Sequence, residues 1–364
     1  MENIDVDYDS SDDKKAIDDS KAGIKGLVDG GIKKIPRIFI RPPHELEEEK
    51  NICKTSEQIP VVDLSGVDVD EERRKKTVDE IRKASEKWGF FQLINHGIPS
   101  SVLDGVLDGT RKFHEQDVEV KKEYYSSDLT RPVRFYSNVS MYKAKGKTVA
   151  WKDSLYLNQI VSGHIEPETV PPVCRKPYLE FINHVNELGN IVLDLLSEAL
   201  GLKTDYLNAA ECASTDQFMA GHYSPACPQP ELALSTLKHT DGSFITILLQ
   251  DQSGGLQVMC NNQWADVEPI EHSLVVNIGD LLQIISNDKF VSATHRVIAR
   301  NVGPRISVAY FFNGILDPPK VYAPIKELVS EENPPLYKEL TVLDCGRAFT
   351  SKPIDKNTVD VFRL

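Results

Sequence analysis

Apolar residues recur along this chain with two different periods, and the change from one to the other divides it. The stretch EERRKKTVDEIRKASEKWGFFQLINHGIP sets Val78, Ile81, Ala84 and Trp88 at helical spacing before Phe90 to Ile94, which predicts a helix followed by a strand. IPVVDLSGV, residues 59 to 67, reads as a short strand ahead of them. A long helix is predicted over 177–200, where Tyr178, Phe181, Ile182, Val185, Leu188, Ile191, Val192 and Leu195 form a wide apolar stripe that stops before Gly201. After it the period shortens. From about 215 to 313 the chain breaks into FITILLQ, GLQVMC, SLVVNIG, ATHRVIA and RISVAYFF, separated by Gly, Pro, Asn and Asp roughly every ten residues. Such spacing predicts a β-sandwich or barrel core. The last fifty residues return to helix and loop punctuated by proline, and KAGIKGLVDGGIKKIPRIFI predicts a short helix leading into an extended arm. Residues 1–20 are acidic and polar and are expected to be disordered.

Composition adds exclusions. A chain of 364 residues that is 40% hydrophobic can build one large core or two modest ones. The formal charge is −13 and no basic stripe occurs, so neither nucleic acid nor an anionic membrane is an expected partner. Cys53, Cys174, Cys212, Cys227, Cys260 and Cys345 lie far apart with no C-x-x-C pair, the pattern of free thiols in a reducing compartment. No stretch of about 18 apolar residues and no apolar export segment is seen, so a cytoplasmic protein is expected and the sequon at Asn138 carries no weight. Nothing signals a strong interface, and a monomer is expected.

Candidate chemistry sits inside the β region. In HTDGSFITILLQD, His239 and Asp241 stand two apart at the mouth of a strand, where alternate side chains share a face. His295 in ATHRVIA is a third donor within reach across a barrel, and two histidines with one carboxylate leave three positions open on non-haem Fe(II). An H-x-D pair alone reads as a surface or core hydrogen-bonded pair rather than a metal site, and His295 alone is no stronger. What strengthens it is RIS: Arg305 and Ser307 share a strand face, read as pointing inward among Val308, Tyr310 and Phe312. A buried arginine needs a carboxylate, and the adjacent strands offer none, which leaves a ligand to supply it. His222 and Cys227 in HYSPACP read as a rigid lead-in rather than as ligands, and His96 and Trp151 as packing.

These residues, with KGLVDGGIKKIPRIFI, IPVVDLSGV, WGFFQLINHGIP, HYSPACPQPEL, GGLQV and VVNIGDLLQIISNDKF, carry a resemblance over nearly the whole chain after residue 20. The chain resembles the plant Fe(II)- and 2-oxoglutarate-dependent dioxygenases, in the branch of the aminocyclopropane-carboxylate oxidase homologues and alkaloid hydroxylases. The resemblance implies a mainly β fold with flanking helices: an N-terminal α/β region over 21–205, a double-stranded β-helix (jelly-roll) core over 206–315 and a C-terminal helix and loop lid over 316–364. It implies that His239, Asp241 and His295 bind Fe(II), that Arg305 and Ser307 hold the distal carboxylate of 2-oxoglutarate, and that Phe311 and Asn313 line the substrate side. O2 and, as reductant, ascorbate would complete the reaction: oxidation of a C–H bond, chiefly hydroxylation, of a plant specialised metabolite such as an alkaloid or steroid, releasing succinate and CO2. An ascorbate-using oxidase of the ethylene-forming type and a catalytically silent ligand-binding relative are the alternatives. One position departs from the family. Its usual Asn-x-Tyr-Pro-x-Cys segment has a tyrosine that reaches the cosubstrate, and aligning Pro225 and Cys227 puts Ser224 there, with Tyr223 facing the other way.

Overall fold

The computed structural model describes residues 11–51, 54–128, 130–137, 148–159, 164–213, 216–351 and 357–364. Cys53 and Asn138 fall outside them. Two sheets face each other. The larger runs in the order Val61–Asp63, Phe90–Ile94, Leu274–Ile278, Ile245–Gln250, Arg305–Phe312, Phe218–Ser224, Asp153–Asn158, Val133–Ser137. The smaller runs Lys54–Thr55, Gln263–Asp266, Leu256–Cys260, His295–Ile298, Leu234–His239. This is a double-stranded β-helix with flanking helices, as the sequence implies. Strands from the first 160 residues extend both sheets.

Helices cover the outer face of the larger sheet, so its strands are buried on both sides and read as near-continuous apolar runs. The helix Arg175–Ala199 lies where the apolar stripe predicts it, and the chain leaves it through Gly201 at φ +77°. The helix Glu71–Lys87 starts at Asp70, whose side chain accepts hydrogen bonds from the amides of Glu72 and Arg73. Along Arg305–Phe312 the strand alternation decides what enters the cavity. Tyr310 donates its hydroxyl to Asn186 Oδ1 of the long helix at 2.9 Å, and Phe312 presses on Gly189 of the same helix. Val308, Tyr310 and Phe312 therefore face outward, not inward as expected, and Arg305, Ser307, Ala309 and Phe311 line the opposite face.

Residues 11–20, expected to be disordered, form the helix Ser11–Ser20. One apolar side chain anchors it: Ile17, 5% exposed, joins Ile24, Ile35, Ile38 and Phe39 against Val149, Trp151 and Cys227. Tyr125 also donates its hydroxyl to Asp18 at 2.6 Å. At the other end, the helix Val342–Ser351 reaches the loop carrying Asp241, with Cys345 Sγ 3.7 Å from the Gly242 carbonyl oxygen. The five described cysteines are free and buried.

Candidate metal centre

His239 is the last residue of its strand and pairs in register with His295, the first of its own. Asp241 is not on the strand as the alternation argument assumed. It sits in the turn that follows. Backbone packing explains the difference: the Asp280 amide donates to the Asp241 carbonyl at 2.7 Å and Thr240 Oγ1 to Asp280 Oδ2 at 3.0 Å. The turn can close there because Gly279 has no side chain; a Cβ would lie 2.0 Å from the Ser243 carbonyl oxygen.

The three side chains converge. One ligand atom from each lies within 4.8 Å of the others, with His239 Nε2 3.4 Å and His295 Nε2 3.8 Å from Asp241 Oδ1. Outer contacts fix which atoms face inward. Nδ1 of His239 lies 2.8 Å from the Leu237 carbonyl oxygen and Nδ1 of His295 3.2 Å from that of Ala293, which assigns the proton to Nδ1 and leaves each Nε2 lone pair pointing at Asp241. Asp241 Oδ2 is occupied by the Thr246 hydroxyl at 2.7 Å and the Asn277 amide at 2.8 Å, so Oδ1 is the free oxygen. Three acceptors thus meet with no donor among them. Burial alone would raise the Asp241 pKa, but the site opposes it, the Thr246 hydrogen bond included, and holds the carboxyl well below its ordinary range. Burial, then the neighbouring His239, pushes His295 down to about 4, the neutral form a metal requires. A divalent cation fits this donor set. Thr246 and Asn277 were missed in the sequence because nothing local distinguishes a polar residue inside FITILLQ or VVNIGD from one on a strand's wet face.

A second polar cluster lies along the same interior. Arg305 donates from Nε to the Gly254 carbonyl at 2.8 Å, from one terminal nitrogen to Ser307 Oγ at 2.9 Å and from the other to Gln250 Oε1 at 2.9 Å. All three acceptors are neutral, and two of the five guanidinium N–H groups remain for a carboxylate. Ser224 pairs with Arg305 in register and Gln250 with Ser307, so these four share the inner face. Tyr223 faces outward, stacked on His114 at 5.2 Å with its hydroxyl 3.3 Å from Glu115 Oε1. Phe311 stacks on Phe218 at 4.2 Å on the inner side, whereas Asn313 lies past the strand end, its amide 3.4 Å from the Asp216 carbonyl oxygen. His222 is interior but bound to Ser154 Oγ at 2.7 Å, and burial, then Lys152 and Arg305, keeps it neutral. Trp151 donates to the Pro225 carbonyl, Cys227 packs in the N-terminal cluster, and His96 contacts the His272 carbonyl; none joins the metal cluster. Lys152, absent from the sequence reading, also points inward, with Nζ 3.0 Å from Thr236 Oγ1.

Two family models account for most of the chain: the 2OG-Fe(II) oxygenase superfamily over residues 215–314, and the N-terminal region of non-haem dioxygenase in morphine synthesis over 59–173. The first spans both histidines, Asp241 and the Arg305 strand. A deacetoxyvindoline 4-hydroxylase from Catharanthus roseus is 48% identical over 96% of this chain and 88% of its own. This chain belongs to the 2OG-Fe(II) oxygenase superfamily. A 1-aminocyclopropane-1-carboxylate oxidase homolog from Solanum lycopersicum is 47% identical over 94% of this chain and 93% of its own. The crystal structure of JOX2 in complex with 2OG, Fe and JA superposes with a TM-score of 0.81 at 31% identity, covering 94% of this chain and 97% of that one. The protein is therefore a dioxygenase, an oxidoreductase that uses iron(II) and 2-oxoglutarate on a small-molecule substrate. Among the described residues no helix is long and apolar enough to cross a membrane.

Proposed function

We propose that this oxygenase hydroxylates an unactivated C–H bond of a plant specialised metabolite of the alkaloid or steroid kind, coupled to conversion of 2-oxoglutarate into succinate and CO2. The carrying observation is the pairing of three inward acceptors with an interior guanidinium whose hydrogen-bond acceptors are all neutral. His239 Nε2, Asp241 Oδ1 and His295 Nε2 would hold the iron, with Thr246, Asn277 and two backbone carbonyls fixing their orientation. Arg305 and Ser307 would bind the distal carboxylate of 2-oxoglutarate, with a water completing the contact at Ser224. Iron with three open positions supplies the O2 chemistry that oxidises a C–H bond. The chain's own contribution is a dry, shaped interior: the apolar sheet faces exclude water and the fixed side chains aim the substrate. The 48% identity to a hydroxylase supports hydroxylation in particular.

The test is to incubate the purified protein, Fe(II), ascorbate and 2-oxoglutarate in air with fractionated plant extracts. Succinate should accumulate together with a product one oxygen atom heavier than a consumed metabolite. A product lighter by two hydrogens would replace hydroxylation by desaturation, and product without succinate would favour the ascorbate-using oxidase.

A further inference from the structure

Lys152 stands immediately before the strand Asp153–Asn158 and is 7% exposed. Its ammonium crosses from the larger sheet to the smaller one, where Nζ lies 3.0 Å from Thr236 Oγ1. Thr236 pairs with Val297, two residues beyond His295, so the contact is on the wall that carries the metal cluster. Arg305 and Asp241 are its nearest electrostatic neighbours, and His222 and His295 sense it in turn. The adjacent carboxylate does not neutralise it. Asp153 turns the other way and accepts the amides of Ile24 and Lys25 at 2.8 and 2.9 Å.

Counting charge in the loaded site shows what this ammonium is for. An iron(II) dication, the Asp241 carboxylate, two neutral imidazoles, a 2-oxoglutarate dianion and the Arg305 guanidinium cancel one another. Asp251 and Arg300, which act on Arg305 with opposite sign, offset each other as well. Asp280, the other buried carboxylate near the metal cluster, accepts from Thr240 and is not among the charges that act on Lys152, which is left with a neutral hydroxyl as partner in an interior where charges persist only when paired. Among the chain's own groups Lys152 is already strained electrostatically: burial, then Arg305, pushes it down to about 7 against the pull of Asp241.

We propose that Lys152 anchors an anionic group of the substrate, a carboxylate, and so selects organic acids. The inference rests on the proposed function, since it takes the iron and cosubstrate as occupying the positions argued above. A single compact ammonium gives one directed contact, unlike the two-pronged contact available from Arg305. The stacked pair Phe218 and Phe311 lies on the same inner face at the other end of the strands that carry Ser224 and Arg305, where it offers a place to the apolar end of an elongated acid. Among alkaloids and steroids this favours members that bear a carboxylate over those that are neutral or only cationic.

Anaerobic calorimetry with Mn(II) in place of iron tests this without relying on turnover. Manganese is titrated first, then 2-oxoglutarate, then phenylacetate or its uncharged amide, phenylacetamide. The wild type should bind phenylacetate at least about tenfold more tightly than phenylacetamide, the size of a charge-assisted contact. Lys152→Gln should lose that preference and Lys152→Arg keep much of it, with 2-oxoglutarate affinity unchanged within about twofold in both. Equal binding of acid and amide by the wild type, a comparison that needs no variant, would overturn the inference. So would a Lys152→Gln protein that loses 2-oxoglutarate affinity while keeping the acid preference, which would assign Lys152 to the cosubstrate. Failure of manganese or 2-oxoglutarate to bind the wild type would instead remove the proposed function, and this inference with it.

Discussion

At the scale of single residues, the site's chemistry was legible wherever a side chain is rare in the setting that its neighbours predict. His239, His295 and Arg305 stand out because ionisable groups interrupt apolar strands, and Asp241 and Ser307 stand out by their spacing of two residues from His239 and Arg305. Gln250, Thr246, Asn277 and Lys152 do not stand out, because each ends or punctuates a strand as polar residues commonly do. Ser224 is the informative exception, visible only against a family pattern and now facing Arg305 in register while Tyr223 faces His114. Ser224→Tyr should add a hydroxyl beside the distal carboxylate and lower the Michaelis constant for 2-oxoglutarate about two- to tenfold without changing the product, checked by steady-state kinetics. An unchanged constant would mean that a water already makes the contact equally well. His114 carries a separate consequence. Burial, opposed by its bond to the Gly221 carbonyl, pushes its pKa from 6.5 to about 3, and Nδ1 has no partner among the described residues. The unfolded chain therefore takes up a proton below pH 6.5 that the folded chain refuses, so this stability is complete above that pH and lost as pH falls. His114→Gln keeps a donor for Gly221 and has no such proton. Chemical denaturation should show wild type more stable near pH 8, with the gap closing by about 1.4 kcal/mol per pH unit below 6.5.

At the scale of elements, long periodic segments were readable and their junctions were not. The helix Arg175–Ala199 and the five β runs follow from spacing alone. The turn that holds Asp241 does not, because it is set by contacts with Gly279 and Asp280, some forty residues away. The helix Ser11–Ser20 was missed for a similar reason: its sequence is acidic and polar, and one docked isoleucine with a hydrogen bond to Tyr125 settles its conformation. Packing between elements also overrides propensity at Gly189. Alanine there would favour the helix by about 1 kcal/mol. Its Cβ, however, would lie 2.1 Å from the ring of Phe312, which is fully buried on the strand Arg305–Phe312. Overpacking of about 1–3 kcal/mol wins. Gly189→Ala should lower Tm by about 1–3 °C by calorimetry and loosen the strand that carries Arg305. A raised Tm would show that the ring moves aside freely.

At the scale of the whole molecule, the sheets, the N-terminal layer and the C-terminal helix enclose one interior whose polar groups are incomplete as the chain alone supplies them. Three acceptors face each other, and a guanidinium and an ammonium face neutral oxygens. A bound dication should therefore stabilise the fold, by about 2.7 kcal/mol at a hundredfold excess over Kd, and chelation should lower Tm accordingly. Asp241→Ala should abolish that metal dependence. The measurement that bears most directly on the account is iron-dependent succinate formation from 2-oxoglutarate by wild type, His239→Ala, Asp241→Ala and His295→Ala, each verified as folded by circular dichroism. Succinate from the wild type and essentially none from any of the three variants is the expected result. Near-normal succinate from any one of them would show that its side chain does not hold the metal.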